Sequence, residues 1–298
     1  AVRLSPDGRL AAANAFSSKT TVLYRRDADS GKLTRLDEAR NGVEGFNGLA
    51  WAIDTAFSHD SKFVYAIDSR GDGQEFGVSV GSVTAFGVTD ETELDFVEAG
   101  QDSRFADARG IAVRPDGKSI VVVSSDAAAL VVLSRDPQTG TTRIRQVIED
   151  EHDDVHGLSG AMGVTISPDG QFVYVSSGRF GGDNAIGVYQ FDDGGRLSLV
   201  QEFINDDGEL CGFRGGNEIV VSPDGLNAYA VGSVSSSLAC FAREPETGRL
   251  RFLETIPNEQ GRLTAAAGVC VSPDGKFVYV AAEQSGKISV FRRNAKQE

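Results

Sequence analysis

Short apolar runs alternate with polar turns along the whole chain. Val269-Cys270-Val271 leads into Ser272-Pro273-Asp274-Gly275, and Phe277-Val278-Tyr279-Val280 leads out of it. In such a tetrapeptide Pro presets φ for a turn, Asp bonds the backbone ahead of it, and Gly accepts positive φ. The pattern therefore predicts a β-hairpin. A third run follows, as in Ala185-Ile186-Gly187-Val188-Tyr189 and Ile288-Ser289-Val290-Phe291, and its alternation predicts a strand with two unlike faces. A second turn comes next: Asp29-Ser30-Gly31-Lys32-Leu33, Gln138-Thr139-Gly140, Asp193-Gly194-Gly195-Arg196-Leu197 or Glu246-Thr247-Gly248-Arg249-Leu250. Fourth strands are predicted over residues such as 196–203 and 249–256, with alternating polar positions suited to a half-exposed outer edge.

The hairpin turn recurs. Ser5-Pro6-Asp7-Gly8 returns as Ser58-His59-Asp60-Ser61, Arg114-Pro115-Asp116-Gly117, Ser167-Pro168-Asp169-Gly170, Ser222-Pro223-Asp224-Gly225 and Ser272-Pro273-Asp274-Gly275. By subtraction the spacings are 53, 56, 53, 55 and 50 residues. Four antiparallel strands repeated at this period, each unit able to bury its faces only against its neighbours, predict an all-β β-propeller of six repeated four-stranded units. The units run approximately over residues 1–50, 51–108, 109–160, 161–216, 217–266 and 267–298, and no linker interrupts them, so one domain is expected. The last unit lacks its outer strand, because the polar tail Asn294-Ala295-Lys296-Gln297-Glu298 follows its third run. Ala1 already lies in an innermost strand, so ring closure is unresolved at this level, and a natural chain extending upstream would bring material for a seventh blade.

Composition narrows the classes. The chain of 298 residues is 40% hydrophobic and 24% charged, with 35 Gly, one Met and one Trp, which suits many short strands and little helix in a soluble globular protein. No run approaches the roughly 18 apolar residues that a membrane-spanning helix requires. A formal net charge of -14 argues against nucleic acid as a partner, since phosphate binding needs a clustered basic face. Cys211, Cys240 and Cys270 form neither a disulfide framework nor a CxxC metal cluster and are expected to be buried thiols, although an odd count leaves one disulfide plus one thiol open. No N-terminal leader is visible. An extracellular or periplasmic location is the expectation; oligomeric state is not legible.

With Phe172-Val173-Tyr174-Val175-Ser176 and Phe277-Val278-Tyr279-Val280-Ala281 following SPDG turns, essentially the whole chain resembles the lactonase-like propeller superfamily, often described by YVTN repeats. The resemblance implies a propeller fold. Members include 6-phosphogluconolactonases and carboxymuconate-lactonising enzymes, with His, Arg and Glu near the channel mouth. Phosphogluconolactonase-like members often carry Pro-Arg-His just before an inner strand; here the corresponding stretches read Gly160-Ala161-Met162-Gly163, Gly215-Gly216-Asn217-Glu218 and Ala265-Ala266-Ala267-Gly268.

Function in such a scaffold belongs to the longer loops. These are residues 38–50, 100–108, 149–160, 204–216 and 257–266, joined by 68–79 and 177–184. Four positions before each hairpin the inner strands carry Ala1, Asp54, Gly110, Gly163, Glu218 and Gly268, so two carboxylates replace small residues, on opposite sides of a six-fold ring. Asp54 and Glu218 are candidates for acid and base, or are solvated or Arg-paired acids of a wet channel. His152 and His156 share the i, i+4 spacing of a metal pair but lack HExxH, which favours a solvated acidic loop; His156 is kept as a candidate base. Arg70, Arg104, Arg179 and Arg214 would bind an anionic ligand, unless each pairs with acids such as Asp68, Asp72, Asp102, Asp183 or Glu209. No cofactor is expected. Asp72-Gly73-Gln74-Glu75 and Asp206-Asp207-Gly208-Glu209 offer oxygen ligands for a divalent cation such as calcium, outside any EF-hand spacing.

Two functions follow. The first is a binding or scaffolding propeller that engages a protein or a small ligand at its loop-rich mouth. The alternative is a lactonase-like hydrolase acting on an anionic lactone, in which Arg214 and Arg179 hold the substrate, Glu218 or His156 activates water and Asp54 assists.

Overall fold

A computed structural model of the chain describes residues 1–43, 47–70, 80–178, 181–205 and 210–294. Six antiparallel sheets follow one another, each with its strands hydrogen-bonded in chain order; five have four strands and the last has three. These are the blades of a β-propeller. The chain divides into two compact units, residues 1–147 and 148–298, each described here by itself.

In the first unit, sheet one comprises β1 (Val2–Leu4), β2 (Leu10–Ala15), β3 (Thr20–Arg26) and β4 (Leu33–Arg40). Sheet two comprises β5 (Ala52–Phe57), β6 (Phe63–Asp68), β7 (Gly81–Thr89) and β8 (Glu93–Asp102); sheet three comprises β9 (Ala108–Val113), β10 (Ser119–Ser124), β11 (Ala129–Arg135) and β12 (Thr142–Glu149). The second unit holds β13 (Ala161–Ile166), β14 (Phe172–Ser177), β15 (Ala185–Phe191) and β16 (Leu197–Ile204), then β17 (Gly216–Val221), β18 (Asn227–Gly232), β19 (Ser237–Arg243) and β20 (Leu250–Ile256). Its last sheet is β21 (Ala266–Val271), β22 (Phe277–Ala282) and β23 (Lys287–Arg292), and Ile288 and Val290 of β23 are exposed. Helix among the described residues is confined to short 3-10 turns such as Ser103–Phe105 and Glu259–Gly261.

The repeated turn is a side-chain device. Ser167 Oγ donates to Asp169 Oδ1 at 2.5 Å and receives the N–H of Phe172 at 3.0 Å, while the N–H of Gly170 closes on the Ser167 carbonyl at 2.8 Å. Ser, Asp and Gly thus each satisfy backbone groups that the reversal would otherwise strand. The same bonds recur at Ser5, Ser222 and Ser272.

Neighbouring blades are joined by an arginine at or just beyond the end of the third strand. Arg243 of β19 is buried, donating to the Gly225 carbonyl of its own hairpin and to the Tyr174 hydroxyl and Asp169 of the preceding blade. Arg135 makes the corresponding contacts with Gly117, Tyr65 and Asp60, and Arg293 with Gly275, Asn227 and Asp224. Tyr174 and Tyr65 pass the network on to the Gly248 and Gly140 carbonyls of the second turns. Burial pushes both phenols up to about 12, against the nearby guanidinium that opposes the shift, so they stay protonated donors.

Between blades the packing is apolar. Phe63, Tyr65 and Ile67 of sheet two meet Ile111, Ile120, Val122, Val131 and Leu133 of sheet three, and Phe172, Tyr174, Ile186 and Val188 of sheet four meet Ile219, Ala228, Ala230 and Phe241 of sheet five. One expectation is corrected here: only Cys240 is a buried thiol, whereas Cys211 and Cys270 are exposed, and none of the three is in a disulfide. β19 is buried along its whole length, which covers Cys240 and pushes its thiol up to about 12, whereas Cys270 on β21 is exposed.

Candidate functional site

The inner strands carry β-bulges near their starts. Register shifts lie between Ala52 and Asp54, Ala161 and Gly163, Gly216 and Ile219, and Ala266 and Gly268. A bulge inserts unpaired residues and re-aims a side chain, and such features concentrate near functional sites. Both acids singled out from the sequence fall on them.

Asp54 belongs to the first unit. Its carboxylate is buried, Oδ2 receives Arg3 at 3.1 Å, and Oδ1 has no hydrogen-bond partner. Its carbonyl receives Asn14 Nδ2 at 2.7 Å, and Thr21 in turn donates to Asn14, so the backbone that carries the acid is held from sheet one. Arg3 had no signal in the sequence as a partner of Asp54, because the pair is formed only when β1 packs beside β5.

Glu218 belongs to the second unit and lies inside the bulge of β17, with no register partner between Gly216 and Ile219. Its Oε2 receives the N–H of Val269 on β21 at 2.9 Å. The glycines at the equivalent positions of the flanking strands make the room. A Cβ on Gly163 would lie 2.8 Å from the Glu218 Cα, and one on Gly268 would lie 3.3 Å from Glu218 Oε2. Small residues on both sides and an acid between them are thus one packing arrangement.

At the same end of the second unit's sheets is a cleft of about 630 Å³, lined by Gly181, Ser233, Val234, Ser236, Ala265, Glu283 and Gln284. Arg214 stands beside it and is exposed, its carbonyl receiving the N–H groups of Val234 and Ser235 at 3.2 and 3.1 Å. The hydroxyls, carboxylate and amide of this lining come from ordinary turn residues, which no sequence pattern marked.

The remaining candidates fall elsewhere. His156 donates its N–H to Glu202 on the outer strand β16 at 2.8 Å, and its Nδ1 lies 3.5 Å from Glu151 of its own loop. Arg104 is bonded to Asp102 at 2.5 to 2.9 Å through its guanidinium and its own N–H. Arg70 lies with its guanidinium 4.7 Å above the Trp51 ring, and its N–H donates to Asp68. Asp68 is buried and also accepts from the N–H of Trp51. Arg179 and both candidate calcium stretches, Asp72 to Glu75 and Asp206 to Glu209, lie outside the described residues. Among the described residues no group of three or more His, Cys, Asp or Glu stands ready to ligate a metal ion, and no helix is long and apolar enough to cross a membrane.

Repeated four-stranded antiparallel sheets with strands in chain order define a β-propeller. A family model described as Lactonase, 7-bladed beta-propeller matches residues 39–146 and 183–298, and the chain belongs to that family. Of the seven blades in that description, six sheets are seen here. The chain is 28% identical over 149 residues to a 6-phosphogluconolactonase of Bacillus subtilis, covering 50% of this chain and 40% of the relative. It is 26% identical over 176 residues to a 6-phosphogluconolactonase of Enterobacter, covering 57% and 51%. Among solved structures, the periplasmic gluconolactonase PpgL of Pseudomonas aeruginosa superposes with a TM-score of 0.75 at 21% identity, over 98% of this chain and 80% of the other. Against two Lactococcus lactis relatives the chain spans 46% and 59% of their length. These likenesses support the lactonase-like reading better than the binding or scaffolding one.

Proposed function

We propose that the protein is a lactone hydrolase acting on an anionic lactone, with its site in the second unit around Glu218, Arg214 and the adjoining cleft. The observation that carries this reading is the placement of Glu218: an acid set in a bulge, anchored through one oxygen by Val269, with glycines on both flanking strands. Membership of the lactonase propeller family supports it.

In this mechanism Glu218 takes a proton from water as the water oxygen bonds to the lactone carbonyl carbon. The tetrahedral intermediate collapses by breaking the ring C–O bond, and the ring oxygen receives the proton, giving the open hydroxy acid. Arg214 holds the substrate's anionic group, and the Ser233, Ser236 and Gln284 side chains bond its hydroxyls. His156 is given no part, because its partners are Glu202 of the outer strand and Glu151 of its own loop. An extracytoplasmic location belongs to the same proposal, supported by the periplasmic neighbour, and cell fractionation would check it.

The test is hydrolysis of gluconolactone and of 6-phosphogluconolactone followed by acid release. Glu218→Gln is expected to lower kcat by about a hundredfold or more, and Arg214→Ala to raise KM, more for the phosphorylated lactone. Hydrolysis by the wild type that is unchanged in Glu218→Gln would remove Glu218 from the mechanism.

A further inference from the structure

One position on the second strand of every sheet, nine residues after the hairpin opens, is occupied in turn by Asn14, Ile67, Val123, Ser176, Val231 and Ala281. Two of the six are polar. They stand in the sheets just before the two that carry an inner-strand acid: Asn14 precedes Asp54 and Ser176 precedes Glu218, whereas the sheets with Ile67, Val123 and Val231 are followed by Gly110, Gly163 and Gly268. In the first unit the reason is visible. Asn14 Nδ2 donates to the Asp54 carbonyl at 2.7 Å, so a polar side chain of one sheet holds the backbone of the acid in the next.

Ser176 makes no such bond. Its side chain is fully buried on β14, and its Oγ has no hydrogen-bond partner. A buried hydroxyl left unpaired costs the fold its desolvation, and such a group in a native structure calls for a reason. Its surroundings supply one. Ser176 is the register partner of Gly163, and a Cβ on Gly163 would lie 2.7 Å from Ser176 Oγ, 2.6 Å from the Asn217 carbonyl oxygen and 2.8 Å from the Glu218 Cα. The hydroxyl therefore stands beside the β17 bulge with only a glycine between them, and Asn217 and Glu218 have no register partner there. Serine is shorter than the asparagine that makes the bridge at this position in the first unit.

We propose that Ser176 is a positioning residue for Glu218, a donor held in reserve that closes on the Asn217 carbonyl when the bulge engages substrate. The inference rests on Glu218 as the base of a lactone hydrolase and adds a second group to that site. Val269 already fixes Glu218 from β21, through the N–H that bonds Oε2. The Ser176 bond anchors the bulge from β14 as well, so the carboxylate is held from both flanking sheets while it takes the proton from water. A bond absent in the free protein and made on the way to the transition state lowers the barrier without tightening ground-state binding. Ser176 touches no reacting atom and acts through Glu218 alone.

The experiment is a double-mutant cycle on lactone hydrolysis by the full chain, with Ser176→Ala, Glu218→Gln and the two combined, and Tm measured on each. Alanine is the residue the last sheet carries at this position, and the lost hydroxyl has no bond in the free protein, so Tm should stay within about 2 °C of wild type. Ser176→Ala is expected to lower kcat about tenfold with KM within about twofold, and to add nothing in the Glu218→Gln background. A merely structural hydroxyl would move Tm, or lower activity equally in both backgrounds. A kcat retained in Ser176→Ala, or the same loss with and without Glu218, overturns the proposal and leaves Glu218 as the base. A wild type that hydrolyses neither gluconolactone nor 6-phosphogluconolactone, or a Glu218→Gln as active as wild type, overturns the lactonase reading and this inference with it.

Discussion

Arg243 Nη2 lies 2.8 Å from Asp169 Oδ2, joining the third strand of one blade to the hairpin turn of the blade before it. The arginine is buried and the aspartate keeps about a third of its surface in water, so the pair is a partly screened latch. Its strength comes from company, because the same guanidinium also bonds the Tyr174 hydroxyl and the Gly225 carbonyl. One side chain thus reads the turn of its own blade and the turn of its neighbour.

Removing that guanidinium should be costly. Arg243→Met takes away the donor to the Tyr174 oxygen, to Asp169 Oδ2 and to the Gly225 carbonyl, and is expected to cost about 2–3 kcal/mol. Asp169→Asn, which removes a partly exposed charge and keeps the shape, should cost about 1 kcal/mol or less. Urea denaturation of both variants checks the order.

The equivalent latch to Arg293 predicts a pH dependence. Burial acts to raise the Asp224 carboxyl, but hydrogen bonds from Arg293 and Ser222 outweigh it and hold the group at about 2. A folded value below the unfolded one, near 3.9, gives stabilisation that is complete above the unfolded value and is lost as pH falls through the folded one. Asp224→Asn should therefore be less stable than wild type near pH 5, with the difference closing as pH approaches about 2. Tm measured over that range would show whether the curves converge.

Two turn glycines separate backbone strain from packing. Gly248 has φ 68°, and an added Cβ would sit 2.1 Å from the Phe172 ring; Gly8 has φ 72° and open space around it. Gly8→Ala should cost about 1 kcal/mol for the backbone alone, while Gly248→Ala should cost about 3 kcal/mol because the ring must also move. The Gly140 turn, which meets Phe63 in the same way, should behave like Gly248. Chemical denaturation of the three variants gives the comparison.

Asp54 separates a stability role from an activity role. Its partner Arg3 is 43% exposed, so Asp54→Asn should leave stability within about 1 kcal/mol of wild type. The proposed mechanism gives Asp54 no step, so Asp54→Asn is expected to match the wild type in the lactone assay. Unchanged activity with unchanged stability would reduce Asp54 to a wet inner-strand acid.

The chain's own pattern determined the repeat, the hairpin turns, the strand order within each sheet and the missing fourth strand of the last. Those features rest on interactions a few residues long: the Ser167 hydroxyl finds Asp169 and Phe172 within five residues whatever lies around it. The two inner-strand acids were legible for the same reason, as exceptions in a regular column. Tertiary structure decided their company. Arg3 reaches Asp54 from 51 residues away and Val269 reaches Glu218 from 51 residues the other way along the chain. The loop arginines looked alike in the sequence, yet Arg104 is held by Asp102, Arg70 lies over Trp51 and Arg214 stands beside a cleft. His156 was carried to Glu202 by the path of its loop along β16, and Leu158 and Ser159 of that loop reach Asp150 and Asp183. A periodic sequence specifies each blade through local bonds, but a site is made of side chains from different blades, and their meeting is a property of packing.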